Sequence, residues 1–93
     1  MNIKKRYIKK RNMLIKDVDN NFVVFEPMTK TYNILNGMAK DILNNCDGNK
    51  DISDLITFIK KVYNNNNLDE IKRDVFECIE AMIKLGLIEE NVS

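Results

Sequence analysis

The side chains that most often carry catalysis are scarce in this sequence. The chain of 93 residues contains no histidine, and its only serines are Ser53, at the start of a predicted helix, and Ser93, at the terminus. A nucleophile paired with a base therefore cannot be assembled in the usual way. The sequence also lacks a glycine-rich phosphate loop. We expect no catalytic residue.

Two acidic pairs remain as candidates for carboxylate chemistry. Asp17 lies close to Asp19, and Asp51 precedes Asp54 by three positions. A turn role explains the first pair, and a helix-capping role explains the second. The sequence therefore predicts a protein that is not an enzyme.

The two cysteines do not form a metal or redox motif. Cys46 and Cys78 lie far apart, and neither belongs to a C-x-x-C pair. Buried free thiols are favoured over a disulfide. We expect no metal and no cofactor. No stretch approaches the ~20 apolar residues of a membrane span, and the start resembles no signal peptide. We expect a cytoplasmic protein without a membrane partner.

Three strands are predicted in the first part of the chain. Residues 13–18 and 22–27 are β-prone runs separated by the turn-forming residues 19–21. Pro27 closes the second run, and "TYNIL", residues 31–35, supplies a third strand. Short connections make these strands an antiparallel meander.

Three helices are predicted after the strands. Asn36 can cap the first helix by accepting from the amide of Ala39, and Asp47-Gly48 ends it. Asp51 begins the second helix, and Leu68 begins the third, which Gly86 ends. The predicted fold class is α+β: a three-stranded antiparallel β-meander followed by three α-helices, similar to a winged helix-turn-helix.

Charge is distributed unevenly along the chain. Residues 1–16 carry seven basic side chains and no acidic one, whereas residues 64–93 carry three basic and seven acidic ones. The basic start is either a solvated, poorly ordered terminus or a contact for nucleic acid or an acidic peptide. We therefore divide the chain into a basic segment that can be flexible, residues 1–12, a single domain, residues 13–88, and a tail, residues 89–93.

Two kinds of binding function are compatible with this fold. The last strand of a meander has one unpaired side, and residues 31–35 contain neither proline nor lysine to block strand addition. The alternative is a winged helix-turn-helix DNA-binding protein. Against it, the third helix would expose four acids and two bases: Glu70, Arg73, Asp74, Glu77, Glu80 and Lys84. Acids facing phosphates repel them, so nucleic acid is the weaker prediction.

The order of several short motifs resembles the PqqD-like family, the precursor-peptide recognition elements of ribosomal peptide biosynthesis. The motifs are Leu35-Asn36 at a strand end, Asp47-Gly48, Asp51, Asp74-Val75-Phe76 and the closing Gly86-Leu87-Ile88. The resemblance covers residues 13–88. It implies a non-catalytic domain that holds the leader of a precursor peptide and presents it to a modifying enzyme, often a radical SAM protein.

The resemblance also implies a binding site. The leader would lie as an added strand along the third strand, in the groove facing the third helix. Which flank of that helix lines the groove stays open. The implied peptide-binding residues are Thr31, Tyr32, Asn33, Ile34 and Leu35 for backbone pairing, Val75, Phe76 and Ile79 as an apolar floor, and Lys72 and Asp74 at the rim.

Overall fold

The first sheet contains the three predicted strands. The structure, a computed structural model, describes residues 2–10, 13–19 and 21–92. Strands β2 (Leu14–Val18), β3 (Asn21–Glu26) and β4 (Thr31–Leu35) form an antiparallel sheet in the order β2-β3-β4. The predicted meander is confirmed. Asn20, which belongs to the first predicted turn, lies outside the described residues.

The pleat of this sheet separates an inner face from an outer face. Val24 is fully buried and Leu35 is nearly so, whereas Tyr32 and Ile34 are 71% and 70% exposed. Because successive side chains of a strand point to opposite faces, Val24 and Leu35 belong to the face that packs on the helices. Tyr32 and Ile34 belong to the outer face, where Tyr32 lies opposite Phe25 with ring centroids 4.7 Å apart.

Helices α1 (Gly37–Asn44) and α2 (Ile52–Tyr63) begin where the sequence predicts. The Asn36 side chain accepts from the Ala39 amide at 2.8 Å, and this confirms the predicted cap. Asp51 accepts from the Asp54 amide, while the Asp54 carboxylate accepts from the Asp51 amide. This reciprocal capping box satisfies two backbone donors at the start of α2.

Helix α3 (Leu68–Lys84) supplies much of the core. Its buried stripe is Ile71, Val75, Ile79 and Met82. The helix ends before Gly86, whose φ of 76° lies in the left-handed region that glycine adopts readily. The α+β fold class, a meander followed by three helices, is therefore confirmed. No helix of the described residues is long and apolar enough to cross a membrane.

A second sheet was not predicted. It contains β1 (Arg6–Lys9), β5 (Asp47–Asp51) and β6 (Ile88–Glu90), in the order β5-β1-β6 with antiparallel pairing. The central strand β1 lies in the segment that we expected to be flexible, and Tyr7 is only 5% exposed. Residues 6–9 and 88–90 pair in this sheet, so ordered structure extends beyond the predicted boundaries at residues 13 and 88. Met1, Arg11, Asn12 and Ser93 lie outside the described residues.

Gly48 and Asn91 join the edges of the second sheet. The Asn91 side chain donates to the Gly48 carbonyl oxygen at 2.9 Å, and the Asn91 amide donates to the Arg6 carbonyl at 2.9 Å. The prediction that Asp47-Gly48 ends the first helix is wrong, because α1 ends at Asn44. Gly48, with a φ of 89°, lies within β5 instead.

Candidate functional site

Strand β4 is an edge strand with a free side. Among the described residues it pairs only with β3. At its two ends, Thr31 lies opposite Glu26 and Leu35 lies opposite Phe22. The other side presents backbone donors and acceptors without a strand partner. An edge of this kind is a template for adding a strand from another chain.

The hairpin geometry shows which residues of β4 face outward. Val18 and Asn21 flank a two-residue loop and lie opposite each other, so this pair exchanges both of its hydrogen bonds. From Phe22 onward, every second residue of β3 then bonds to β4. Their partners in β4 are Leu35, Asn33 and Thr31. The amide and carbonyl groups of Tyr32 and Ile34 therefore point away from β3, towards the free side.

An open groove of about 570 Å³ lies between the end of β4 and one flank of α3. The two walls differ in chemistry. On the strand side and at the start of α1, the groove is lined by Ile34, Leu35, Asn36, Met38 and Ala39. On the helix side it is lined by Asp74, Glu77, Cys78, Ala81, Met82 and Leu85. The floor is apolar, and the carboxylates lie on the helix side.

The structure brings three of the implied site residues together in this groove, namely Ile34, Leu35 and Asp74. Thr31, Tyr32 and Asn33 lie further along the same strand edge. Their placement on the edge is what strand addition requires.

The implied apolar floor needs correction. Val75 and Ile79 have no exposed surface, because they belong to the stripe of α3 that packs into the core. Phe76 is half-buried and packs against the same core. Lys72 is exposed on α3 but does not line the groove. A ligand cannot touch a fully buried side chain, so another flank of α3 forms this wall.

The groove residues of α3 that sequence reasoning missed share a helical spacing with Asp74, which was predicted. Positions 77, 78, 81 and 85 follow position 74 at steps of three or four, so they lie along one flank of α3 and its C-cap. The sequence left open which flank of this helix lines the groove. The available indication was a pair of small residues, Cys78 and Ala81, next to the apolar stripe of the helix; in the structure Cys78 is half-buried and Ala81 is exposed.

The electrostatics of the groove are acidic. Asp74 has one ionic neighbour, Arg73, whose Nε lies 3.9 Å from its carboxylate. Among the described residues, no cation lies within 4 Å of the Glu77 carboxylate. No described residue of the basic segment lines the groove, and Lys5 instead lies 3.7 Å from Glu90 in the second sheet.

The remaining candidates for chemistry have structural roles. Asp17 lies 3.3 Å from the Nζ of Lys40, and Asp51 and Asp54 cap α2. Burial raises the pKa of the Cys46 thiol to about 12, which makes it inert at neutral pH. Within residues 2–10, 13–19 and 21–92, no cluster of three acidic or cysteine side chains could hold a metal ion.

The outer face of the first sheet is a second apolar surface. A shallow pocket of about 380 Å³ there is lined by Leu14, Lys16, Val18, Val23, Phe25 and Tyr32. Ile34 lies on the same face, opposite Val23. The free edge of β4 thus separates an apolar outer face from a partly acidic groove.

Comparisons with known proteins agree with this geometry. The solved structure "Lasso peptide synthetase B1 complexed with the leader peptide" has the same fold, with a TM-score of 0.74 and 15% sequence identity. The alignment covers 90% of this chain and 98% of that chain. The comparison with curated protein sequences found no significant match. The family model "Coenzyme PQQ synthesis protein D (PqqD)" matches residues 21–88, which is well over half of the chain, and the chain therefore belongs to the PqqD family.

Proposed function

We propose that this protein is a non-catalytic module that captures the leader of a ribosomal precursor peptide by β-strand addition and presents it to a modifying enzyme. Membership of the PqqD family supports this proposal. The structure with the same fold was solved with a leader peptide. The observation that carries the proposal is the free edge of β4 beside the open groove of α3.

The binding step uses the backbone before it uses side chains. The outward amide and carbonyl groups of Tyr32 and Ile34 exchange hydrogen bonds with an extended peptide, which becomes the fourth strand of the first sheet. The side chains of that peptide alternate between the groove and the outer face. Backbone bonds give affinity for any extended segment, and the groove supplies the preference among sequences.

The modifying enzyme completes the proposed function. On the family resemblance, we propose that it is a radical SAM protein and that both proteins work in the cytoplasm. Asp51 and Asp54 cap α2, Asp17 lies beside Lys40, and both thiols are poorly ionised, which supports a module that contributes no reacting group. Its contribution is to raise the local concentration of the peptide at the enzyme.

The described surface of α3 gives little support to DNA binding. Glu70, Glu77 and Glu80 are exposed on the helix that would enter a groove of the duplex. These carboxylates repel phosphates, and only Lys72, Arg73 and Lys84 oppose them on the same helix. The peptide-binding function is therefore preferred.

The test is a titration with leader peptides. Synthetic peptides tiled across the short open reading frames beside the gene are added to isotope-labelled protein, and amide exchange is followed by NMR. We expect one tile to bind saturably and to slow exchange at Tyr32 and Ile34, while Asn33, already bonded to β3, changes little. Binding without protection of Tyr32 and Ile34 would place the docking surface elsewhere. Failure of every tile to bind would reject the proposed function.

A further inference from the structure

The two sides of the β4 edge offer different chemistry to an added strand. On one side, the groove combines an apolar floor with the carboxylates of Asp74 and Glu77. On the other, the outer face continues from Ile34 and Tyr32 to Val23 and Phe25. A strand that pairs with β4 must place alternate side chains in these two environments.

The outer face favours apolar side chains. Ile34 and Tyr32 are each about 70% exposed although they are large and apolar. A residue of the added strand beside them forms a cross-strand pair, and β-branched and aromatic residues stabilise such pairs most. Each apolar pair also removes exposed surface of Ile34 or Tyr32 from water.

The groove favours a cation. Glu77 has no basic neighbour within 4 Å among the described residues, and the only ion pair of Asp74 is a long contact to an exposed Arg73. An acidic side chain entering the groove would be placed near two carboxylates and would be repelled. A lysine or arginine would lay its aliphatic stem on the apolar floor and its charge near Glu77.

We propose that the captured segment is a two-faced strand, with apolar side chains towards the outer face and a lysine or arginine among those that enter the groove. This inference rests on the proposed function. It assigns Asp74 and Glu77 as the residues that determine specificity. The sequence left open a contact of the basic segment with an acidic peptide, but none of the described residues of that segment, 2–10, lines the groove.

The test uses a random library of displayed dodecapeptides as the probe. The library is selected in parallel on the full chain, on Ile34→Pro and on the double variant Asp74→Asn, Glu77→Gln. Peptides that bind the full chain but not Ile34→Pro depend on the strand edge. A selected peptide that slows hydrogen exchange at the Tyr32 and Ile34 amides also binds at the strand edge, and this measurement does not require the proline variant. Glu80→Gln is the matched control, because Glu80 lies on α3 outside the groove.

We expect edge-dependent peptides to show lysine or arginine at positions that alternate with apolar residues. Replacing that basic residue by glutamine should weaken binding to the full chain about two- to fivefold, and should have little effect on the double variant. Glu80→Gln should behave like the full chain. Edge-dependent peptides without a basic excess, or with an excess that persists on the double variant, would overturn the inference and leave the proposed function intact. Absence of any edge-dependent peptide would reject both.

Discussion

At the scale of single residues, Cys78 is a natural reporter of the groove. Its side chain is half-buried and lines the wall formed by α3. Burial raises the pKa of its thiol to about 11 from the ordinary value of 9.0. Cys46 is buried more deeply, with its pKa raised to about 12. Since the thiolate is the form that reacts, both cysteines should be alkylated more slowly than an ordinary thiol at the same pH.

Alkylation of Cys78 should report occupancy of the groove. At about pH 8 its thiolate fraction is about a hundredfold below that of an unshifted thiol, so we expect slow alkylation that accelerates about tenfold per pH unit until about pH 11. A bound leader should slow it further by covering the thiol. Mass spectrometry of the native protein with N-ethylmaleimide measures the rate. Cys46 is the internal control, because it should not react until the protein unfolds. An alkylation rate of Cys78 that a bound leader does not change would show that the peptide leaves this thiol uncovered.

Two glycines should respond in opposite ways to alanine. At Gly48, with φ of 89°, an added Cβ would lie 2.9 Å from the Nδ2 of Asn91. We expect Gly48→Ala to lower the free energy of unfolding by about 1 to 3 kcal/mol. At Gly37, an added Cβ would meet the Tyr63 Oη at 3.6 Å, an ordinary contact. Gly37→Ala should leave stability unchanged or raise it by up to about 1 kcal/mol. Urea unfolding measures both, and equal effects would contradict this account of Gly48.

At the scale of elements, β4 and α3 have different roles in the proposed peptide-binding site. The strand supplies backbone groups that any extended peptide can use, while the helix presents one flank to the core and a neighbouring flank to the groove. The strand should therefore control whether a peptide binds, and the helix should control which peptide binds. Substitutions at the two elements are expected to separate affinity from selectivity.

Proline substitutions along β4 test the assignment of its two sides. The Asn33 amide points to β3, so Asn33→Pro should remove a ladder hydrogen bond and destabilise the fold by about 1 to 3 kcal/mol. The Ile34 amide points outward, so Ile34→Pro should remain folded but bind the leader more weakly by about 1 to 3 kcal/mol. Thermal unfolding and peptide titration measure the two effects. A folded Ile34→Pro that binds with full affinity would show that the edge is not the docking surface.

The sequence allowed the first sheet and the helix starts to be predicted, but not the second sheet. Local patterns explain the success, as for Asn36, whose capping bond needs only three residues of context. Strand β5, "DGNKD", contains no apolar residue and becomes a strand only because β1 pairs with it. The structure has a groove between β4 and α3, but Val75 and Ile79, which were predicted to form its floor, belong to the core. The most apolar residues of α3 pack into the core, so the groove is lined by the neighbouring flank that contains Cys78.

At the scale of the whole molecule, the N-terminal segment is part of the framework. Strand β1 pairs with β5 on one side and with β6 on the other, and it buries Tyr7. Arg6 and Lys9 lie in β1, and Lys5, directly before it, lies 3.7 Å from Glu90. The segment therefore supports the fold through its backbone and Tyr7 more than through its charge.

Removing the segment and neutralising it should have different consequences. Deletion of residues 1–10 leaves β5 and β6 without their shared partner and opens the core at Tyr7, so we expect a loss of at least ~3 kcal/mol of stability. Glutamine in place of Lys4, Lys5, Lys9 and Lys10 keeps the strand and should cost less than about 1 kcal/mol. Urea unfolding of both variants measures the difference. A truncated protein with native stability would instead support the domain boundary at residue 13.

The pairing of β1 with β6 also bears on how the chain folds during synthesis. Tyr7 lies opposite Glu90, 83 positions later, whereas Val18 and Asn21 meet across a two-residue loop. Closing the longer loop costs about 3 kcal/mol more in chain entropy, so we expect the hairpins of the first sheet to form early and the second sheet to form late. Because β6 follows β2 to β5 and the three helices along the chain, a nascent chain carries β1 without this partner until residues 88–90 have been synthesised.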